Sequence, residues 1–122
     1  MTQPLALVLY EKLLPGTQLT NRLQDIGWRV QTVNESGALT RAAEEHKPVL
    51  VIVDLHSSRQ PVSEGIAALR ANKSTAHIPV IAFTVDDSLS AAALAAGANL
   101  IAGDAAILQH LSQFIDQALS DF

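Results

Sequence analysis

The chain contains no cysteine, which excludes disulfide bonds, thiolate nucleophiles and thiolate metal sites. Aromatic residues make up 4% of the 122 residues and hydrophobic residues 48%, so any core is built from aliphatic side chains. No apolar run approaches the length of about 20 residues that spans a membrane. Eight basic residues face twelve acidic ones, and the basic residues form no patch of the kind that binds nucleic acid. We expect a soluble cytoplasmic protein that binds neither nucleic acid nor a membrane.

Several catalytic and cofactor motifs are also missing. The sequence has no Gly-x-Gly-x-x-Gly fingerprint and no P-loop, the two glycine-rich patterns that cradle phosphates. It has no Gly-x-Ser-x-Gly elbow for a nucleophilic serine. The segment Pro15-Gly16-Thr17 is typical of an ordinary helix start. Dinucleotide binding and serine hydrolysis are therefore disfavoured.

Five short apolar runs alternate with five helical patterns along the chain. Three of the runs are continuously apolar, which is typical of parallel strands buried on both faces. Strict alternation with right-handed crossovers predicts an α/β fold, a three-layer doubly wound (βα)5 domain with a five-stranded parallel sheet, over residues 1–122. The predicted strands are Leu5–Leu9, Arg29–Val33, 49–53, 79–83 and 99–102.

Two of the predicted strands run directly into a polar residue. The third strand ends at Asp54, and the fourth ends at Thr84, thirty positions later. Because the carboxyl ends of parallel strands share one edge of the sheet, we expect these two side chains to lie close together. A carboxylate and a hydroxyl at that edge indicate phosphoryl chemistry or its remains.

With these residues in register, the sequence resembles the receiver domain of bacterial response regulators over nearly its whole length. The resemblance implies a flavodoxin-like fold. Besides Asp54 and Thr84, it rests on three segments that match the approaches to strands two, four and five: Gly27-Trp28-Arg29-Val30, Ile78-Pro79-Val80-Ile81-Ala82 and Ala95-Ala96-Gly97-Ala98.

The resemblance also implies a set of site residues, of which this chain keeps about half. An active receiver holds Mg²⁺ with two acids after strand one and the acceptor Asp, and pairs a lysine with the aspartyl phosphate. Here Asp54 stands at the acceptor position and Thr84 at the hydroxyl position. The acid pair is Tyr10 and Glu11, and the lysine position holds Asp104.

Further departures occur around these positions. Ile101 replaces the aromatic residue of the fifth strand, Val85 replaces a small residue, and the loop 57–61 is longer than usual. An ionised Asp104 would repel a phosphoryl group where a lysine attracts it. A metal site made of Glu11, Asp54 and His56 is therefore expected to be weak or absent, and no other cofactor is expected.

These residues lead to one hypothesis and two alternatives. The hypothesis is a pseudo-receiver: a non-enzymatic signalling module of the two-component type that acts through protein–protein contacts, independently of aspartyl phosphorylation. The first alternative is a phospho-accepting receiver that uses Asp54, Glu11 and Thr84. The second is a small-ligand-binding or catalytic α/β domain with an acidic pocket, formed by Tyr10, Glu11, Asp54, Thr84 and Asp104.

Residues 88–103 carry no charge and include the predicted fourth helix and fifth strand. An uncharged, mildly apolar surface suits protein contact. In receivers, this side and the fifth helix form a common dimerisation and docking face. The sequence therefore predicts a face that binds a histidine kinase, an output domain or a second copy of the chain, with these contact residues: Leu89, Ala91, Leu94, Ala95 and Ile101.

Overall fold

The computed structural model describes residues 4–10, 13–56, 62–84 and 86–120. No helix within these ranges has the length and apolar character needed to cross a membrane. Strands and helices alternate from the first strand to the last, in this order: β1 (Leu5–Leu9), α1 (Leu13–Asp25), β2 (Arg29–Val33), a short 3-10 helix (Ser36–Ala38), α2 (Leu39–His46), β3 (Leu50–Asp54), α3 (Val62–Ala71), β4 (Val80–Phe83), α4 (Asp87–Ala96), β5 (Leu100–Ala102), α5 (Asp104–Gln109) and α6 (Leu111–Ser120).

The five strands form one parallel sheet in the order β2-β1-β3-β4-β5. The predicted five-stranded parallel sheet is therefore confirmed. The order reverses between β1 and β3, whose registered partners include Leu9 and Val53. In open α/β sheets the crevice outside the carboxyl ends at such a switch point is the usual ligand site.

Two apolar clusters cover the two faces of the sheet, which gives the predicted three layers. Because side chains alternate along a strand, Val51 and Val53 of β3 join one cluster while Leu50 and Ile52 join the other. The first cluster includes residues of α2, α3 and α4, and the second includes residues of α1, α5 and α6. Every residue of β3 is buried, which explains its continuous apolar run.

Three strand boundaries differ slightly from the prediction. The β3 strand begins at Leu50 and includes Asp54, while Val49 lies outside it with 45% of its surface exposed. The β4 strand begins at Val80 and β5 at Leu100, one residue later than the apolar runs. Apolar pattern alone does not show where the hydrogen-bonded ladder begins.

The final helical segment, predicted as one helix, is two helices that meet at His110. The backbone of His110 is non-helical, with φ −123° and ψ 32°. Ile107, Leu111 and Ile115 nevertheless stay buried on the sheet, whereas Leu119, near the end of α6, is 36% exposed. The continuous apolar pattern survives the break because both helices pack against the same cluster.

Candidate functional site

Asp54 and Thr84 lie on adjacent strands at the carboxyl edge of the sheet, as predicted. Asp54 is the last residue of β3 and is registered with Phe83, the last residue of β4. Thr84 follows directly, and its N–H donates to the Ala102 carbonyl of β5 at 3.0 Å. Asp54 is 2% exposed and Thr84 4%. A buried acid therefore lies beside the switch point, and a buried hydroxyl follows the next strand of the sheet.

The Asp54 carboxylate is held by the chain that leaves β3. Its Oδ1 atom accepts a hydrogen bond from the backbone N–H of His56 at 2.9 Å. The intervening residue, Leu55, donates its N–H to the Phe83 carbonyl at 3.1 Å. These contacts continue the β3–β4 pairing past the end of β3. They therefore keep His56 close to Thr84, the first residue after β4.

The imidazole of His56 contacts the Thr84 hydroxyl. The distance between His56 Nε2 and Thr84 Oγ1 is 3.1 Å. The same Oγ1 atom accepts the Asp86 N–H at 3.0 Å. The two residues are 28 positions apart in sequence, and only the parallel pairing of β3 and β4 brings them together.

Asp86 then caps α4. Its carboxylate accepts the Ser88 N–H at 2.9 Å and the Ser88 hydroxyl at 2.7 Å. These Ser88 hydrogen bonds are the main reason that the pKa of Asp86 lies below its usual range. Asp86 is therefore the N-cap residue of α4.

Asp104 lies at the same edge, in the first turn of α5 after β5. Its Oδ1 atom is buried, and no group in the described part of the chain donates a hydrogen bond to it. A buried carboxylate oxygen without a donor is costly, and a second anion nearby would raise that cost. Among the residues that the structure describes, the surroundings of Asp104 therefore favour a cation over an anion beside its carboxylate.

Two other predicted site residues pack against the core. Tyr10 is partly buried against the cluster that contains α1 and α6, and its N–H donates to the Val33 carbonyl at 3.1 Å. Ile101, at the position of the family's aromatic residue, is partly buried against the opposite cluster. Glu11, Val85 and the loop 57–61 lie outside the described residues.

A metal site is not evident within the described ranges. No group of three His, Asp or Glu residues there could hold an ion. His56 and Asp54, two of the three predicted ligands, are close in sequence, but the His56 ring nitrogen Nε2 lies at the Thr84 hydroxyl. Mg²⁺ prefers about six oxygen ligands in octahedral geometry, and the described residues do not fit that requirement.

The predicted docking residues, on α4 and β5, are solvent-exposed to different degrees. Ala91 and Ala95 are exposed, and Leu94 is an unusually exposed large hydrophobic residue at 54%. Leu89 and Ile101 are only partly buried, against the cluster shared with α2 and α3. The exposed part of α4 that carries these residues is thus apolar, and residues 88–96 of the helix carry no charge.

Together, the doubly wound sheet and the buried acid and hydroxyl at its switch point define an α/β domain with a carboxyl-edge site. Solved receiver domains share this fold. The receiver domain of a sensor histidine kinase from Pseudomonas aeruginosa, which has a magnesium ion coordinated in its active-site cleft, is similar with a TM-score of 0.89 at 18% identity, over 98% of this chain and 99% of that one. The chain therefore has the fold of response-regulator receiver domains.

Two further solved structures show the same similarity. A signal receiver domain of a histidine kinase from Syntrophus aciditrophicus has a TM-score of 0.84 at 19% identity, covering 97% of this chain and 91% of that one. The chemotaxis protein CheY4 of Vibrio cholerae has a TM-score of 0.85 at 16% identity, covering 97% and 100%. No family model and no curated protein sequence matches the chain.

Proposed function

We propose that residues 1–122 form a receiver-like signalling module of the two-component type, whose output does not depend on aspartyl phosphorylation. It acts in the cytoplasm by binding a protein partner: a histidine kinase, an output domain or a second copy of the chain. It catalyses no reaction of its own. The receiver fold and the buried pair Asp54 and Thr84 support a receiver origin.

The observation that carries the independence from phosphorylation is Asp104. Where the family's lysine attracts the phosphoryl oxygens, this chain has a carboxylate with one buried oxygen and no donor among the described groups. At about 4 Å and an effective dielectric constant near 20, two unit charges interact by about 4 kcal/mol. Replacing the lysine by an acid turns that attraction into a repulsion of similar size, so a stable phosphoryl group on Asp54 is disfavoured.

The metal requirement points the same way. Asp54 Oδ1 already accepts the His56 N–H, and the described residues supply no set of three ligands. We therefore propose no resident cofactor, and only weak binding of Mg²⁺ by Asp54 with Glu11. Without a metal to neutralise the transferring phosphoryl group, transfer to Asp54 loses its main electrostatic support.

The alternative is a receiver that still accepts a phosphoryl group at Asp54. The burial of Asp54 beside Thr84 at the switch point favours it, because this is the arrangement in which the family's acceptor and hydroxyl act together. The two functions differ in one measurable property, which is the formation of an aspartyl phosphate.

The deciding experiment is intact-mass measurement after incubation with acetyl phosphate and Mg²⁺. We expect no mass gain in the wild type or in the Asp54→Asn control. The Asp104→Lys variant restores the family's charge, and we expect it to gain a base-labile phosphoryl group if the charge reversal is what disables the site.

A phosphoryl group on the wild type and not on Asp54→Asn would overturn the proposal and establish the alternative. Circular dichroism of each variant confirms that an absent mass gain is not caused by unfolding.

A further inference from the structure

The Thr84 hydroxyl has two hydrogen-bonding contacts, both within this chain. It accepts the Asp86 N–H at 3.0 Å and lies 3.1 Å from His56 Nε2. A hydroxyl has one proton and two lone pairs. The Asp86 N–H occupies one lone pair, so the hydroxyl proton still needs an acceptor. Thr84 is 4% exposed, and buried hydroxyl protons in native structures have acceptors.

Among the described residues, His56 Nε2 is the acceptor within reach of that proton. The network therefore assigns His56 as the neutral tautomer with its proton on Nδ1, since Nε2 accepts from Thr84. In this arrangement the one proton that Thr84 could donate to a phosphoryl oxygen is already engaged.

We propose that His56 is a positioning residue that gives Thr84 the hydrogen-bond acceptor a phosphoryl oxygen provides in an active receiver, and so fixes the start of α4 without modification of Asp54. This inference rests on the proposed function, because it explains how the docking face can hold one arrangement without phosphorylation. We call the three residues His56, Thr84 and Asp86 the His56 link.

The His56 link is continuous with both the acceptor position and the docking face. At one end, the His56 N–H donates to Asp54 Oδ1 at 2.9 Å. At the other end, Asp86 caps α4, the helix that presents the exposed Leu94, by accepting a hydrogen bond from the Ser88 N–H. A change at His56 is therefore expected to alter the first turn of α4 through Thr84.

The tautomer and the contact are tested by ¹⁵N NMR of the histidine rings in the full chain at about pH 8, above the ordinary histidine pKa of about 6.5. We expect the His56 ring to be protonated on Nδ1. We expect Thr84→Val to shift the His56 Nε2 resonance, while Thr84→Ser, which keeps the hydroxyl, preserves it. The exposed residues His46, His77 and His110 serve as internal controls for folding and should not change.

The positioning role is tested by hydrogen exchange of the Asp86 amide. Loss of one hydrogen-bonding partner should speed its exchange by about tenfold in His56→Ala. His56→Gln keeps an acceptor at a similar distance from the backbone and should restore slow exchange. Equal exchange in the Ala and Gln variants would overturn the proposal, as would a wild-type ring protonated on Nε2 or a His56 resonance unaffected by Thr84→Val.

The two proposals fail separately. Phosphorylation of the wild type at Asp54 with the His56 tautomer and exchange pattern intact would overturn the proposed function and leave the His56–Thr84 contact standing. An unphosphorylated wild type with His56 protonated on Nε2 would support the proposed function and overturn the positioning role of His56.

Discussion

Arg70 joins three segments at the amino edge of the sheet, opposite the candidate site. Its guanidinium donates to the carbonyls of Gly97, Ala76 and Ile78 at 3.0, 2.8 and 2.6 Å, and to Asn99 Oδ1 at 2.6 Å. Burial lowers the pKa of Arg70, yet an arginine stays charged in proteins. Arg70 thus ties the end of α3 to the segments that precede β4 and β5.

A lysine cannot reproduce this fork of donors. We expect Arg70→Lys to lower the free energy of unfolding by about 2 kcal/mol, because hydrogen bonds from a charged group contribute about 1.5 to 3 kcal/mol and several acceptors lose their donor. Urea denaturation measures the change. Arg41→Lys on the exposed face of α2 is the matched control and should stay within about 0.5 kcal/mol of wild type. Equal midpoints for the two variants would contradict the role of Arg70.

Gly97 ends α4 with a φ of +120°, and a Cβ atom there would lie 2.7 Å from Arg70 Cγ. Gly27, in the turn that follows α1, has a φ of +92° and open space around the Cβ position. Both alanine variants adopt a strained backbone, which costs about 1 to 3 kcal/mol. We expect Gly97→Ala to be the more destabilising because it also displaces Arg70. Thermal or urea unfolding of the two variants separates the steric effect from the backbone effect. A larger loss of stability in Gly27→Ala than in Gly97→Ala would contradict the steric effect at Arg70.

At the scale of the element, α4 begins with a charged cap. Asp86 has extended backbone angles, φ −106° and ψ 114°, and its carboxylate accepts from Ser88. Such a cap satisfies helix N–H groups that have no partner within the helix. Its negative charge also suits the positive end of the helix dipole. Asp86 is also the last residue of the His56 link, because its own N–H donates to Thr84 Oγ1. The helix cap and the candidate site therefore meet in one residue.

This cap predicts a pH dependence. Because the folded pKa of Asp86 is lowered, its carboxylate stabilises the fold above the ordinary Asp pKa of about 3.9, and the contribution is lost as the pH falls through the lower folded value. The Asp86→Asn variant keeps a helix cap but cannot titrate at this position. We therefore expect it not to show this loss of stability at low pH. Urea midpoints of both proteins, measured stepwise from pH 7 downward, test the difference.

Ser88→Ala provides the control for the cause of that shift. Removing the Ser88 hydroxyl removes one of the hydrogen bonds that lower the pKa of Asp86. The carboxyl should then titrate at a higher pH by NMR than in the wild type. An unchanged titration would mean that the Ser88 hydroxyl is not the source of the shift.

At the scale of the whole molecule, residues 88–96 of α4 offer an uncharged, apolar surface at one side of the sheet. Leu94 is 54% exposed, and Ala91 and Ala95 beside it are exposed. Interface centres are depleted of charge, whereas ordinary helix surfaces carry it. This contrast is why the docking proposal concerns α4 and not α3, whose exposed side includes Glu64.

We predict that the chain self-associates through this face. Placing a charge at the centre of such an interface leaves it buried and unpaired, so Ala95→Glu should weaken dimerisation by about tenfold or more. Sedimentation velocity over a range of concentrations measures it. Ala68→Glu, an exposed alanine on α3, is the control and should match the wild type. A wild type that stays monomeric, or equal effects of the two variants, would exclude this face as a homodimer contact.

Much of the architecture was predictable because it depends on local pattern. The runs Leu5–Leu9 and Arg29–Val33 match β1 and β2 in full. The closeness of Asp54 and Thr84 followed from parallel pairing alone. The break at His110 was not predictable, because the apolar period continues through it and both helices bury the same face.

The sequence by itself determined the alternation of strands and helices, the parallel sheet, and the carboxyl edge at which Asp54 and Thr84 meet, since hydrophobic periodicity and crossover handedness act locally. Only the tertiary structure decided which groups those side chains contact. The pairing of His56 with Thr84 and the reach of Arg70 to Asn99 join residues 28 and 29 positions apart. Likewise, the buried oxygen of Asp104 depends on packing around the start of α5. Hydrogen bonds of this kind need distances of about 3 Å, which follow from the packing of several elements and not from any one segment.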